Sequence, residues 1–207
     1  MVLICLLSAP AWCQEDIVDV LRRSQEMRLR ALLPAVDDSE DAAIVRRSFD
    51  HVLHSLQPAP VVELRVTRGP AVAETLHGRI IVANESLAAM PEPVRLFILA
   101  HELGHVAMRH WLQTALLSQK WVPGPVTPER TDPVGDRLGR EASALAHEQE
   151  FAADTYAARL LQALRYGNDE LPDVFRHLGT RHDTATHPGT RKRVASLRAL
   201  AMATQAR

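Results

Sequence analysis

"FILAHELGHVAMRH" (residues 97–110) sets two histidines four apart, with a glutamate directly after the first. The apolar run "VRLFILA" (94–100) leads into it and predicts a helix buried along that face. On a helix, positions i and i+4 stack one turn apart on one face. Two neutral imidazoles so placed, His101 and His105, can both reach one Zn²⁺ at about 2.0–2.1 Å. Glu102 points about 100° further round the helix. From there it flanks the ion and can bond the ion's water instead of the ion, as general base. In a chain with ten His, chance supplies only ~0.03 matches to H-E-x-x-H. Gly104 costs about 1 kcal/mol relative to Ala inside a helix, a cost easier to understand where another element packs close. The bland alternative is an ordinary buried helix that carries polar residues. Such residues need partners when buried, so the decision rests on what else converges there.

A catalytic zinc site needs a third protein ligand and one open position. The stretch "AHEQEFAADTYAARLL" (146–161) offers candidates on a second long helix. Glu150 and Asp154 are again i, i+4, and Ala152, Ala153, Ala157 and Ala158 suit close helix–helix approach. Glu150 is the expected third ligand. Asp154, one turn on, can accept the second N–H of a ligating His and fix its tautomer. His147 and Glu148 are rivals for the ligand place, weighed against a solvated helix face.

Three blocks, "LAHELGHVAMRH", "HEQEFAAD" and "THPGTRKRV", occur in that order. Together they resemble the gluzincin metallopeptidases of the HtpX and CAAX prenyl protease type, whose soluble periplasmic branch includes BepA-like proteases. The resemblance runs from about residue 61 to 200. It implies an α+β, mainly helical domain with an HExxH helix, a second ligand-bearing helix and a small β-sheet. It also implies one Zn²⁺ per chain on His101, His105 and Glu150, with Glu102 as base. His187 and Arg193 fall on the family's His-Pro…Arg segment, near the active site. His187 precedes Pro188 at a loop-to-helix junction, where it serves as an oxyanion donor, gates the open metal position, or merely flanks the helix in solvent. Arg193 joins it at the oxyanion or pairs with a surface carboxylate. His110 also occurs in the family; read as pointing elsewhere on the helix, it is structural. The chain departs from the family in "AVAETLHGRIIVA" (71–83), which keeps Gly78 and Ile80 but lacks the usual Asn. That strand is where an extended peptide would add to the sheet.

The expected substrate is a peptide or misfolded protein, in envelope protein quality control. The rival reading is a zinc-binding, chaperone-like periplasmic protein that cleaves nothing. An intact Glu102 argues against it, since a pure binder needs no base. A helical interaction module without metal is the third reading.

Elsewhere, residues 15–56 read as helical with a break at Pro34. Leu21, Met27, Leu29 and Leu32 form one stripe, and Ile44, Val45, Phe49, Val52, Leu53 and Leu56 a second. "VVELRV" (61–66) and "GRIIVA" (78–83) read as strands. Helices are expected over about 93–119, 139–166 (ended by Gly167-Asn168), 171–178 and 188–203. The Pro- and Gly-rich 121–139 reads as a loop, either a lid or a connector. The domain organisation expected is a signal peptide at 1–13, an N-terminal helical region at 14–57 and a zinc metallopeptidase domain at 58–207.

Composition is ordinary for a globular chain, 46% hydrophobic and 24% charged, with a net charge of -1. That balance excludes a nucleic-acid footprint. The opening "MVLICLLSAPAWC" reads as a secretory signal, with cleavage at Ala9-Pro10-Ala11 or after Cys13. No Lys or Arg precedes its apolar run, so the true start lies upstream or the signal is weak; a buried N-terminal helix is the alternative. Both cysteines, Cys5 and Cys13, lie in it, which excludes a Cys-ligated zinc. No stretch of 18 apolar residues occurs, so a soluble or peripherally attached form is expected; the signal and the lack of thiols to protect point to a periplasmic or secreted chain.

Overall fold

A computed structural model describes residues 15–70, 72–167 and 171–205. The segment read as a signal, with Cys5 and Cys13, lies outside them. The fold is α+β and mainly helical, with one small mixed sheet.

Strand β4 (Ile80–Asn84) is buried at every position, as a short apolar run with neighbours on both edges must be. It pairs in parallel with β2 (Glu63–Arg68) and antiparallel with β3 (Ala73–Leu76). The two-residue β1 (Leu33–Pro34) pairs with β2, giving the order β1-β2-β4-β3. The N-terminal region therefore contributes a strand to the same sheet. His77 (φ 53) and Gly78 (φ 65) turn the β3–β4 hairpin, closed by Arg79 N–H on Leu76 O at 3.2 Å. Two successive left-handed residues match the right-handed twist of the strands. A Cβ on Gly78 would also stand 3.0 Å from the Cβ of Trp111, so only glycine fits. Because β4 is internal, its backbone cannot accept a further strand. Within the 71–83 stretch, where an extended peptide is expected to add, the outer strand is β3.

The sheet buries both faces. Val66, Ile81 and Ala83 join the main core with α2 (Glu40–His54) and α3 (Glu92–Ala107). Leu76, Ile80 and Val82 pack instead under Leu29 of α1 (Ile17–Ala31). Side chains cap both N-terminal helices, Asp16 accepting from Asp19 N–H and Ser39 from Ala42 N–H. Of the expected stripes, Leu29, Val45, Phe49 and Val52 are buried, but Met27 faces solvent.

Pro91 and Pro93 open α3, as prolines at a first turn do. Every residue from 94 to 104 is buried, because α3 is wedged between the sheet and helices α2, α6 (Gly135–Ala163) and α7 (Leu171–Leu178). The expected single helix over 93–119 is broken. Arg109 turns left-handed (φ 54), its N–H bonds Val106 O, and α4 (His110–Trp121) starts anew. A left-handed arginine costs about 1–2 kcal/mol. Arg165 (φ 69) ends α6 the same way, with Arg165 N–H on Gln162 O and Tyr166 N–H on Leu161 O. Those paired bonds stop the helix short of Gly167.

The 121–139 segment includes the one-turn α5 (Pro128–Thr131) and is pinned by Val126 N–H to Glu15 O at 2.9 Å. It leads into the N-terminus of α6, about 22 Å along the helix axis from Glu150. The C-terminal α8 (Thr190–Gln205) closes the core with Leu197, while Phe175 of α7 meets Phe97 edge-on at 6.1 Å.

Gly104 sets the approach of α3 to α6. A Cβ there would meet Ala153 Cα at 3.2 Å and Tyr156 Cβ at 3.3 Å. The missing side chain is what lets the two backbones close. Gly104→Val should therefore lower stability by about 1–3 kcal/mol through overpacking and weaken metal uptake by parting the helices. Thermal unfolding and zinc titration check this; unchanged values in both would contradict it.

Candidate metal centre

Two helices crossing at Gly104 put the chemistry of one against the other. His101 and His105 project from α3, Glu150 and Asp154 from α6. The Nε2 atoms of His101 and His105 lie 3.2 Å apart. Glu150 Oε2 is 3.6 Å from His101 Nε2, and its Oε1 is 3.4 Å from His105 Nε2. Donor atoms of all three residues fall within 4.8 Å of one another, and the group can hold a metal ion.

The burial tests that fit. Glu150 is 5% exposed, and its Oε2 accepts no hydrogen bond. A buried carboxylate oxygen without a donor is costly. Here it stands 3.6 Å from His101 Nε2 and 3.4 Å from Arg193 Nη1, while Oε1 is the oxygen beside His105. Oxygen and imidazole nitrogen are donors that zinc accepts.

Asp154 is wholly buried and stands behind His101, its Oδ1 2.9 Å from His101 Nδ1. If His101 Nδ1–H donates to that carboxylate, its Nε2 lone pair is left facing Glu150 and His105. Arg193, from α8, donates from Nε to Asp154 Oδ2 at 2.8 Å and from Nη2 to Oδ1 at 2.5 Å. Its guanidinium also lies over the Phe175 ring at 5.2 Å. The structure thus commits Arg193 to a buried carboxylate rather than to a surface one. His187 sits on the loop before α8, 61% exposed, with Nε2 3.8 Å from Glu150 Oε1. Asp183 holds that loop by accepting from Gly189 N–H and Lys192.

Glu102 is buried, and its carboxylate Oε2 accepts from the Thr75 hydroxyl of β3 at 2.7 Å. The rivals go elsewhere. His147 bonds the Thr184 carbonyl at 2.8 Å, and Glu148 is exposed.

Two contacts were not legible in the sequence. Thr75 sits in a strand too short and mixed to signal itself. His110 was expected to point away, but the turn at Arg109 brings its Nδ1 to 2.9 Å from His105 Nδ1. That placement corrects the expectation, which assumed one straight helix.

The electrostatics follow from burial and pairing. Burial opposes a charge on His101, but Asp154 and then Glu150 outweigh it and push its pKa up to about 10. Burial would also raise Glu150 and Asp154. His101 and His105 hold the Glu150 carboxyl well below the usual carboxylate range, and Arg193 and His101 do the same for Asp154. Burial, then His105 and His101, drive His110 down to about 4. Arg193 is raised: burial is outweighed by Asp154, then Glu150 and Glu102.

The fold and this cluster define an α+β scaffold with a two-helix His/carboxylate cluster. Residues 71–122, which span β3, β4, α3 and α4, match Peptidase family M48. The fold is similar to that of a solved structure described as S. mikatae Ste24p, with a TM-score of 0.52 and 15% sequence identity. The match covers 87% of this chain and 55% of that one, so this chain spans about half the length of its structural relative. No curated protein matches the sequence.

The His101 shift sets the pH dependence of metal uptake. A raised pKa means that the metal-free site keeps this proton through neutrality, and an ion must displace it. Apparent zinc affinity should rise about tenfold per pH unit from this proton alone, levelling off toward pH 10. Calorimetry at pH 7 in buffers of different ionisation enthalpy should show net proton release. The proton's own contribution to metal-free stability runs the other way: it is full below the ordinary value of 6.5 and lost as pH climbs through about 10.

Proposed function

We propose that this chain is a zinc-dependent metalloendopeptidase that hydrolyses peptide bonds in unfolded or misfolded proteins. The observation that supports it most is the convergence of His101, His105 and Glu150 from two helices, with Glu102 buried next to His101 in sequence. The M48 match over 71–122 supports the same reading.

His101, His105 and Glu150 would hold the ion. Bound there, zinc supplies a Lewis acid for the scissile carbonyl and an activated water. Glu102 takes the proton of the attacking water and delivers it to the leaving amine. Asp154 fixes the ring of His101, and Arg193 fixes Asp154, so Arg193 acts as a positioning residue. His187, exposed at the rim, donates to the oxyanion. The outer strand β3 carries Thr75 against Glu102 and presents a free edge in the described sheet. An extended peptide that adds to this edge brings its backbone past Glu102.

We place the protein in the periplasm or among secreted proteins, in the soluble BepA-like branch, acting in envelope quality control. The apolar opening "MVLICLLSAPAWC" supports this. No helix among the described residues is long and apolar enough to cross a membrane.

Glu102→Gln should keep zinc at wild-type stoichiometry and abolish cleavage of an unfolded protein such as casein. Retained turnover would refute the role of Glu102. His187→Ala should lower kcat by about 10²–10³, the usual loss for one oxyanion donor, with zinc content unchanged. A purified, zinc-loaded wild-type chain that cleaves nothing would favour the binding-only reading.

A further inference from the structure

We propose that His110 is the positioning residue for His105: it accepts a hydrogen bond from His105 Nδ1–H and so presents Nε2 of His105 to the metal. This rests on the metal-site reading above.

An imidazole that ligates through one nitrogen carries its proton on the other, and that N–H needs an acceptor to fix the ring. His105 Nε2 is the nitrogen aimed at the cluster, 3.4 Å from Glu150 Oε1 and 3.2 Å from His101 Nε2. Its Nδ1 must then carry the proton. For His101 the acceptor is the carboxylate of Asp154. Among the described residues, the hydrogen-bond partner of His105 Nδ1 is His110 Nδ1, at 2.9 Å. The pair therefore requires a neutral His110 with its own proton on Nε2, leaving Nδ1 as the acceptor.

The backbone is shaped for this contact. On a straight helix, residue 110 would lie about 140° round from residue 105, and the rings could not meet. Arg109 adopts a left-handed conformation, α4 restarts at His110, and the two rings stand 4.8 Å apart at 82°. His110 is buried, and its carbonyl accepts from Gln149 Nε2 at 3.1 Å. Gln149 is the neighbour of Glu150 on α6. Adjacent residues of α6 thus supply the third metal ligand, Glu150, and a donor to the backbone of His110, Gln149. The two histidine ligands differ in consequence, one backed by an anion and the other by a neutral ring.

The test uses the full chain with His110→Leu and His110→Asn. Leucine keeps bulk but offers no acceptor, whereas the Asn Oδ1 falls near the place of Nδ1. Zinc affinity is read by competition with a chromophoric chelator, and folding of the metal-free chains by circular dichroism and thermal unfolding. Expected are a weakening of about 10–100-fold for His110→Leu and an affinity near wild type for His110→Asn. Long-range ¹H–¹⁵N spectra of the zinc-loaded wild type should show His105 protonated at Nδ1 and His110 unprotonated there. A merely structural role would not produce that signature or the rescue by asparagine. Zinc binding by His110→Leu equal to wild type, asparagine no better than leucine, or His105 bound through Nδ1 would each overturn the proposal. Should the leucine variant fail to fold, the asparagine affinity and the wild-type spectra decide alone. A wild-type chain that takes up no zinc removes the metal-site reading and this inference with it.

Discussion

The contact of α3 with α6 at Gly104 is the constraint on which the rest depends. The α3 backbone meets the α6 backbone there because position 104 has no side chain and position 153 has only a methyl group, with Tyr156 packed alongside. Next to that contact the helices carry His105 and Asp154, and one turn before it His101 and Glu150. A wider gap would leave four polar groups buried without partners, at a cost that no local adjustment recovers. The sheet, α2 and α7 matter to the site chiefly by enclosing α3 on its other sides.

Charge explains why the centre calls for a cation. Glu102, Glu150 and Asp154 bring three carboxyl groups into the interior, and Arg193 brings one guanidinium. The formal balance is two negative charges, which a divalent ion offsets. Without the ion, the protonated His101 makes up part of the deficit, which is why its pKa lies so far above that of a free imidazole. Proton and metal thus compete for one place. The Arg193–Asp154–His101 chain spans α8, α6 and α3, so the C-terminal helix is tied to the geometry of the first ligand.

What the sequence disclosed was governed by regular spacing. The i, i+4 pairs at 101/105 and 150/154 needed only the geometry of a helix, and the alanines around 153 announced a close approach. The signal faded where the backbone departs from regularity. Arg109 and Arg165 take left-handed turns without glycine, so neither the restart at His110 nor the early end of α6 could be read from residue type. Strand β3 is four residues long and contains Glu and Thr, so its edge position and the Thr75–Glu102 contact emerged only from the paired sheet. His110 was misplaced for the same reason: its partner depends on the break and not on the spacing.

The central claim is that two imidazoles and one distant carboxylate share a single ion. X-ray absorption at the zinc edge, with metal analysis on the same sample, tests it most directly. The account predicts one zinc per chain in a low-coordinate shell with two imidazole scattering patterns, and loss of a carboxylate oxygen from that shell in Glu150→Ala. A shell unchanged by that substitution, or one of six oxygens without imidazole, would contradict it.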